Sequence, residues 1–206
     1  MIKNICFLLL LFIASTINAQ TVTVTSIADD GTSGTFRWAI EQANNITLSI
    51  NEINFNAGLT GIITLTSNLP NISETLTITG PGTSVISVSG NNLYKMFVVN
   101  AFKIVTVSGL TFKECAAQTG SIFYVNNSTV IANNILVTEN TLSLPFFVSN
   151  GGSSISIANS TFSNNSSQLF GSDWGDTPST TVDDSGYNNK ISVTGSTFSG
   201  NSGVIF

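Results

Sequence analysis

From about residue 60 onward, apolar and hydroxyl side chains alternate one by one: IITLTSN, ETLTITG, SVISVSGNN, KIVTVSG, STVIANN, SISIANS and KISVTGS. A period of two belongs to a strand with one face buried and the other wet. Helical spacing is absent across the same region. Asn, Gly and Ser separate the runs. Gly accepts positive φ without steric cost, and the short Asn amide bonds its own backbone and tolerates left-handed conformations, so both predict tight turns.

The strands also recur at long range. GLTFKEC, NILVTEN, NSTFSNN and GSTFSGN end at Cys115, Asn140, Asn165 and Asn201, at spacings of 25, 25 and 36 residues. Three places before each end stand Phe112, Val137, Phe162 and Phe198. Each unit holds a further apolar run: MFVVN, IFYVN, FFVSN, QLF and the final VIF. A fixed period of this size predicts a solenoid whose coils stack only on their neighbours. At about 3.3 Å per residue, one coil has room for two or three short strands. The longer interval contains GSDWGDTPSTTVDDSGYNN, an insertion at about residues 171–189 that a solenoid accommodates as a surface loop. Stacked asparagines form hydrogen-bonded ladders. Cys115 shares the slot of Asn140, Asn165 and Asn201, which predicts a turn or interior residue rather than a reactive thiol.

One segment breaks the pattern. TSIADDGTSGTFRWAIEQANN (residues 25–45) holds the only arginine, Arg37, beside Trp38, with Asp29, Asp30 and Glu41. After a strand, TVTVTS, and a turn at Asp29-Asp30-Gly31, the residues Phe36, Ala39, Ile40 and Ala43 fall at i, i+3, i+4 and i+7, which predicts an amphipathic helix. Arg37 and Glu41 are i,i+4 partners on its outer side. The first coil of a solenoid has an open core and an unpaired edge, and such a helix covers both. The segment is therefore expected to be a cap.

Composition narrows the function classes. The chain has 206 residues, 8% charged, a net charge of −5 and no histidine. No basic block exists for phosphate neutralisation, so nucleic acid is not an expected partner. The side chain most used for proton transfer near neutral pH is missing. Residues 1–19, MIKNICFLLLLFIASTINA, run from Lys3 through an apolar stretch to small residues before Gln20, the order of a secretory signal peptide. The apolar run is shorter than the roughly 20 residues of a membrane span. The mature chain is thus expected to be secreted or held on the outer cell surface, with Cys115 its single cysteine and no span left in the membrane.

NSTFSNN and GSTFSGN resemble the repeats of bacterial right-handed parallel β-helix surface proteins, among them the polymorphic outer-membrane proteins and large adhesins. The opening stretch is similar to their N-terminal "DDG…G(S/T)LRxAIxxAN" region. The resemblance implies an all-β, right-handed, single-stranded parallel β-helix of the pectate-lyase kind with a short capping helix. The expected organisation is a signal peptide (1–19), an N-terminal strand and capping helix (20–57) and coils (58–206). It implies a non-catalytic adhesion or structural role through the lateral face, with cell-surface glycans or proteins of a host or neighbouring cell as partners.

The same fold hosts polysaccharide lyases and hydrolases, which need acids at defined places. Glu114 and Glu139 precede Cys115 and Asn140 and so share one slot on adjacent coils, about 4.8 Å apart. They are the candidate carboxylate dyad. The blander expectation is a solvated turn pair with Lys113 balancing part of the charge and no cation converging on both. Asp173, Asp176, Asp183 and Asp184 in the insertion are candidate Ca²⁺ ligands by their hard oxygens, although their spacing matches no known calcium loop. No other cofactor is expected. The Thr-rich strands also admit an ice- or glycan-binding hydroxyl array, which the high β-propensity of Thr explains equally well.

Overall fold

The computed structural model describes residues 20–45, 51–115, 122–141, 145–166, 168–172 and 189–203. Residues 1–19, expected to be a signal peptide, and the four insertion acids lie outside the described residues. The chain forms a parallel β-solenoid with one helix. It opens with β1 (Gln20–Val24), α1 (Phe36–Asn44), β2 (Asn51–Phe55) and β3 (Gly61–Thr64). Coils of three strands follow: β4 (Leu76–Thr79), β5 (Ile86–Ser89) and β6 (Phe97–Val99), then β7 (Ile104–Ser108), β8 (Thr111–Lys113) and β9 (Phe123–Asn126). Next come β10 (Thr129–Asn133), β11 (Leu136–Thr138) and β12 (Phe147–Asn150), and β13 (Ser154–Ala158), β14 (Thr161–Ser163) and β15 (Phe170–Ser172). The described strands end with β16 (Lys190–Thr194) and β17 (Thr197–Ser199).

Each strand of a coil joins a different sheet. The first sheet has seven strands in the order β1-β2-β4-β7-β10-β13-β16, the second six, β3-β5-β8-β11-β14-β17, and the third four, β6-β9-β12-β15. All pairings are parallel, and the registers place Val137 against both Phe112 and Phe162, and Phe162 against Phe198, as the repeat alignment predicts. The coil therefore has three sides, the upper end of the two or three strands expected.

The period sets the core. On the first sheet Val22, Ile53, Ile78, Val107, Ala132, Ile157 and Val193 form one inward row across seven strands. On the third sheet Phe97, Phe123, Phe147 and Phe170 stack with ring centroids 5.0, 5.6 and 5.2 Å apart. Phe112 and Phe162 meet that column edge-on from the second sheet. Ring edges against faces are favourable because the ring quadrupole is negative on its face and positive at its edge.

The corners are built from the predicted turn residues. At the corner after the second sheet, Asn140 Nδ2 donates to Asn165 Oδ1 (3.0 Å) and Asn165 Nδ2 to Asn201 Oδ1 (2.9 Å). The amides of Cys115, Asn140 and Asn165 each donate to the asparagine oxygen one coil further on. A buried amide left unbonded costs about 1–3 kcal/mol, so a continuous ladder is what makes polar residues tolerable in this interior. Cys115 ends the ladder, fully buried, and burial pushes its thiol pKa up, which keeps it protonated. The interior reading of Cys115 agrees with this placement.

The helix closes the N-terminal end. The helix packs against β1 and β2, the first two strands of the seven-stranded sheet. Thr35 caps it, accepting from the Trp38 amide, and Phe36, Ala39, Ile40 and Ala43 are the buried face, as the spacing predicts. Phe36 packs on Phe55 and Phe97 and joins the aromatic column. No helix among the described residues is long and apolar enough to cross a membrane.

Candidate functional site

Three places concentrate polar chemistry: the Asp29–Arg37 pair, the glutamate corner, and the outer face of the seven-stranded sheet. The first is structural. Asp29 lies in the turn after β1, and its carboxylate is buried. Arg37 Nε and Nη2 donate to its two oxygens at 3.0 and 2.7 Å, while Nη1 and Nη2 also reach the carbonyls of Asn68 and Ser67 at 2.6 and 2.8 Å. The Thr66 amide and hydroxyl complete the Asp29 shell at 2.7 and 3.0 Å. This corrects the expected Arg37–Glu41 pairing. Arg37 turns to Asp29 because its planar fork matches a carboxylate bidentately, a stronger arrangement than an exposed i,i+4 pair. The guanidinium thus ties the turn after β1 to the loop after β3, with four of its five N–H groups bonded to protein oxygens.

The glutamate corner follows β8 and β11. Glu114 (φ 52°) and Glu139 (φ 57°) occupy the left-handed position that the next two coils fill with Asn164 (φ 56°) and Gly200 (φ 62°). The structure brings the two together through Lys113, whose ammonium lies 3.2 Å from Glu114 Oε1 and 3.5 Å from Glu139 Oε2. A cation thus converges on both, contrary to the sequence reading, because Lys113 is the last residue of β8 and its side chain stands on the outer face between the two corners. The Ser89 hydroxyl donates to Glu114 Oε2. That bond is the main cause holding the Glu114 carboxyl below its usual range. Burial opposes it, and Lys113 adds to it. For Lys113, burial lowers the pKa but the two glutamates together outweigh it and raise it.

These directions bear on chemistry. A glycosidase acid needs a carboxyl held protonated above its ordinary range, and a lyase base needs an amine held neutral. Glu114 and Lys113 are displaced the opposite way, Glu114 chiefly by the Ser89 hydroxyl and with help from Lys113, and Lys113 by the two glutamates against burial. The cluster is one ammonium shared between two carboxylates at a corner of left-handed backbone. Among the described residues no group of three or more His, Cys, Asp or Glu gathers as a metal site.

The third place is the broadest, spanning seven strands. On the outside of the seven-stranded sheet one row runs Thr21, Glu52, Thr77, Thr106, Ile131, Ser156, Ser192, and the next Thr23, Asn54, Thr79, Ser108, Asn133, Ala158, Thr194. These fourteen positions carry one charge, Glu52, and a third outward row, Ile104, Thr129, Ser154 and Lys190, adds a second at its end. The strands lie about 4.8 Å apart, so hydroxyls and amides stand in near-regular files. Glu52 and Ile131 interrupt the hydroxyl pattern, which departs from an unbroken ice-matching lattice. Exposed apolar side chains gather near the middle of the face: Ile104 and Ile131 on β7 and β10, and Phe102 in the turn before β7. Sequence reasoning singled out the Thr-rich strands but missed Phe102. The available signal was an aromatic residue in a slot where the following repeat has Asn127 and a polar turn. Neither a family model nor a curated protein sequence matches this chain.

Proposed function

We propose that the chain is an exported, non-catalytic binding module of the adhesin kind that engages its partner through the outer face of the seven-stranded sheet. The observation that carries this reading is that face: seven parallel strands presenting mostly hydroxyl and amide groups over a buried apolar core. A solenoid face is preorganised, so binding orders few side chains. The residue order of 1–19 supports export, and the resemblance to β-helix surface proteins supports a place at the outer cell surface. The directions in which Glu114 and Lys113 are shifted, away from a protonated acid and a neutral base, favour binding over polysaccharide cleavage.

The test pairs binding with turnover. Labelled protein applied to intact bacterial cells and to immobilised polysaccharides is expected to be retained, and lysines placed at Thr77 and Ser192 should abolish retention without changing the circular dichroism spectrum. Glu114→Gln with Glu139→Gln should leave retention intact. Release of unsaturated or reducing sugar from polygalacturonate, with or without calcium, that disappears in the double glutamine variant would overturn the reading in favour of an enzyme.

A further inference from the structure

Phe102 is the most exposed large apolar side chain among the described residues, at 81% of its full accessibility. Its backbone is left-handed, φ 64°. One period later the same corner holds Asn127 (φ 42°), and the next coil has Gly151 and Gly152 there, both at positive φ. Asn and Gly suit that conformation, whereas a bulky residue is a genuine outlier in it. The ring therefore costs backbone strain and makes no contribution to the core that would offset it. Nothing in folding asks for phenylalanine here.

Its neighbours extend the patch. Ile104 is 52% exposed and stands at the start of β7. Ile131 is 41% exposed and lies two residues beyond Thr129, the partner of Ile104, so the two are diagonal neighbours roughly 8 Å apart by strand geometry. Around them stand Thr106, Thr129, Asn133 and Ser156. The nearest charge, Lys103, is tied to Glu74 at 3.3 Å. The patch is therefore apolar in the middle, hydroxyl- and amide-rich at its rim, and electrically neutral.

We infer that Phe102, Ile104 and Ile131 form a platform for the apolar face of a neutral pyranose ring within a surface polysaccharide, with the adjoining hydroxyl and amide files bonding its hydroxyls. The inference deepens the lateral-face reading and rests on it. Sugar rings have C–H faces that lie on apolar and aromatic surfaces, and equatorial hydroxyls that need short polar partners around them. The charge balance argues against an acidic polymer, because among the described residues the cation beside the patch, Lys103, is paired with Glu74, and the exposed Lys190 stands two strands beyond β10. Three side chains expose a few hundred Å² at most, well under the roughly 800 Å² per partner of a stable protein interface, which favours a small repeating ligand over a second copy of the chain.

Affinity electrophoresis of the full chain in gels containing a neutral β-glucan, a neutral galactomannan or polygalacturonate tests this. At least one neutral polymer is expected to retard the protein, and polygalacturonate is not. Phe102→Asn, which installs the residue of the next coil, should weaken retardation at least tenfold while the melting temperature stays level or rises. Ile131→Thr should weaken it several-fold and serves as the second probe if the corner variant folds poorly. No retardation by either neutral polymer, retardation by polygalacturonate alone, or equal retardation of both variants overturns the inference. So does a dimer in sedimentation that Phe102→Asn converts to monomer. Cell retention that survives Phe102→Asn but fails with lysines at Thr77 and Ser192 would remove this platform and leave the lateral-face function standing.

Discussion

The Asp29–Arg37 pair and the Lys113–Glu114–Glu139 corner are made of the same chemistry in different surroundings. In the first, the carboxylate is fully buried and the guanidinium nearly so, and every bond is to a fixed atom: two carboxylate oxygens, two carbonyls, an amide and a hydroxyl. In the second, side-chain exposures of 19%, 34% and 56% for Lys113, Glu114 and Glu139 leave the ions in contact with water. Burial makes a pair indispensable without making it stabilising in itself, since desolvation offsets much of the attraction and the large cost appears only when one partner is removed. Exposure makes a pair dispensable. A dense group of charges in a charge-poor chain is therefore no guide to chemistry until its burial is known.

The comparison breaks most visibly at Arg37. Arg37→Ala leaves the Asp29 carboxylate buried without its cation and is expected to cost about 3–5 kcal/mol in urea unfolding. Arg37→Lys should recover only part of that, because an ammonium cannot fork across both oxygens and two carbonyls. A loss below 1 kcal/mol for Arg37→Ala would show that the pair is not buried in solution. Lys113→Met comes next, with an expected loss of no more than about 1 kcal/mol that 1 M salt erases, whereas salt should leave the Arg37 effect nearly intact. Glu139→Asn should act in the opposite direction. It relieves a left-handed glutamate with the residue type found at Asn164, and a gain of about 0.5 kcal/mol is expected, read as a raised denaturation midpoint. A loss there would indicate that the Lys113 contact outweighs the backbone.

The smallest effect is the pH dependence of the corner. Glu114 is held below its usual range in the folded state, so its contribution to stability is present above the unfolded value of about 4.3 and is lost as pH falls toward the folded one. Lys113 is raised, so its contribution is present below about 10.4 and is lost as pH rises through the folded value. Asp30, bonded by the Thr32 hydroxyl and amide, follows the same sign as Glu114. Glu114→Gln should flatten the acid limb of a plot of denaturation midpoint against pH. An unchanged limb would assign it to Asp30.

Much of the fold is legible in the residues because the interactions that make it repeat. Period-two alternation places Val107, Ala132 and Ile157 inward, and equal spacing puts them in register, so one local rule applied coil after coil yields the whole stack. The asparagine ladder follows for the same reason, as does the slot of Cys115. The helical cap is legible from four apolar residues at helical spacing. The site was legible in part. The Thr-rich strands and the equivalence of Glu114 and Glu139 could be read from the period. Phe102 could not, because its exposure and backbone angle are properties of a corner rather than of a strand pattern.

What the sequence determined by itself is therefore the repeating part: strands, their register, the aromatic and asparagine columns, and the element that closes the end. Those follow from contacts between residues a fixed distance apart along the chain. Only the tertiary structure decided which charges pair. It turned Arg37 from Glu41 to Asp29 and Ser67, set Lys113 between glutamates of two coils, and left Phe102 in water. The physical reason is that such side chains are long and flexible, and their energy depends on solvent exposure and on atoms far away in sequence, neither of which a local pattern encodes.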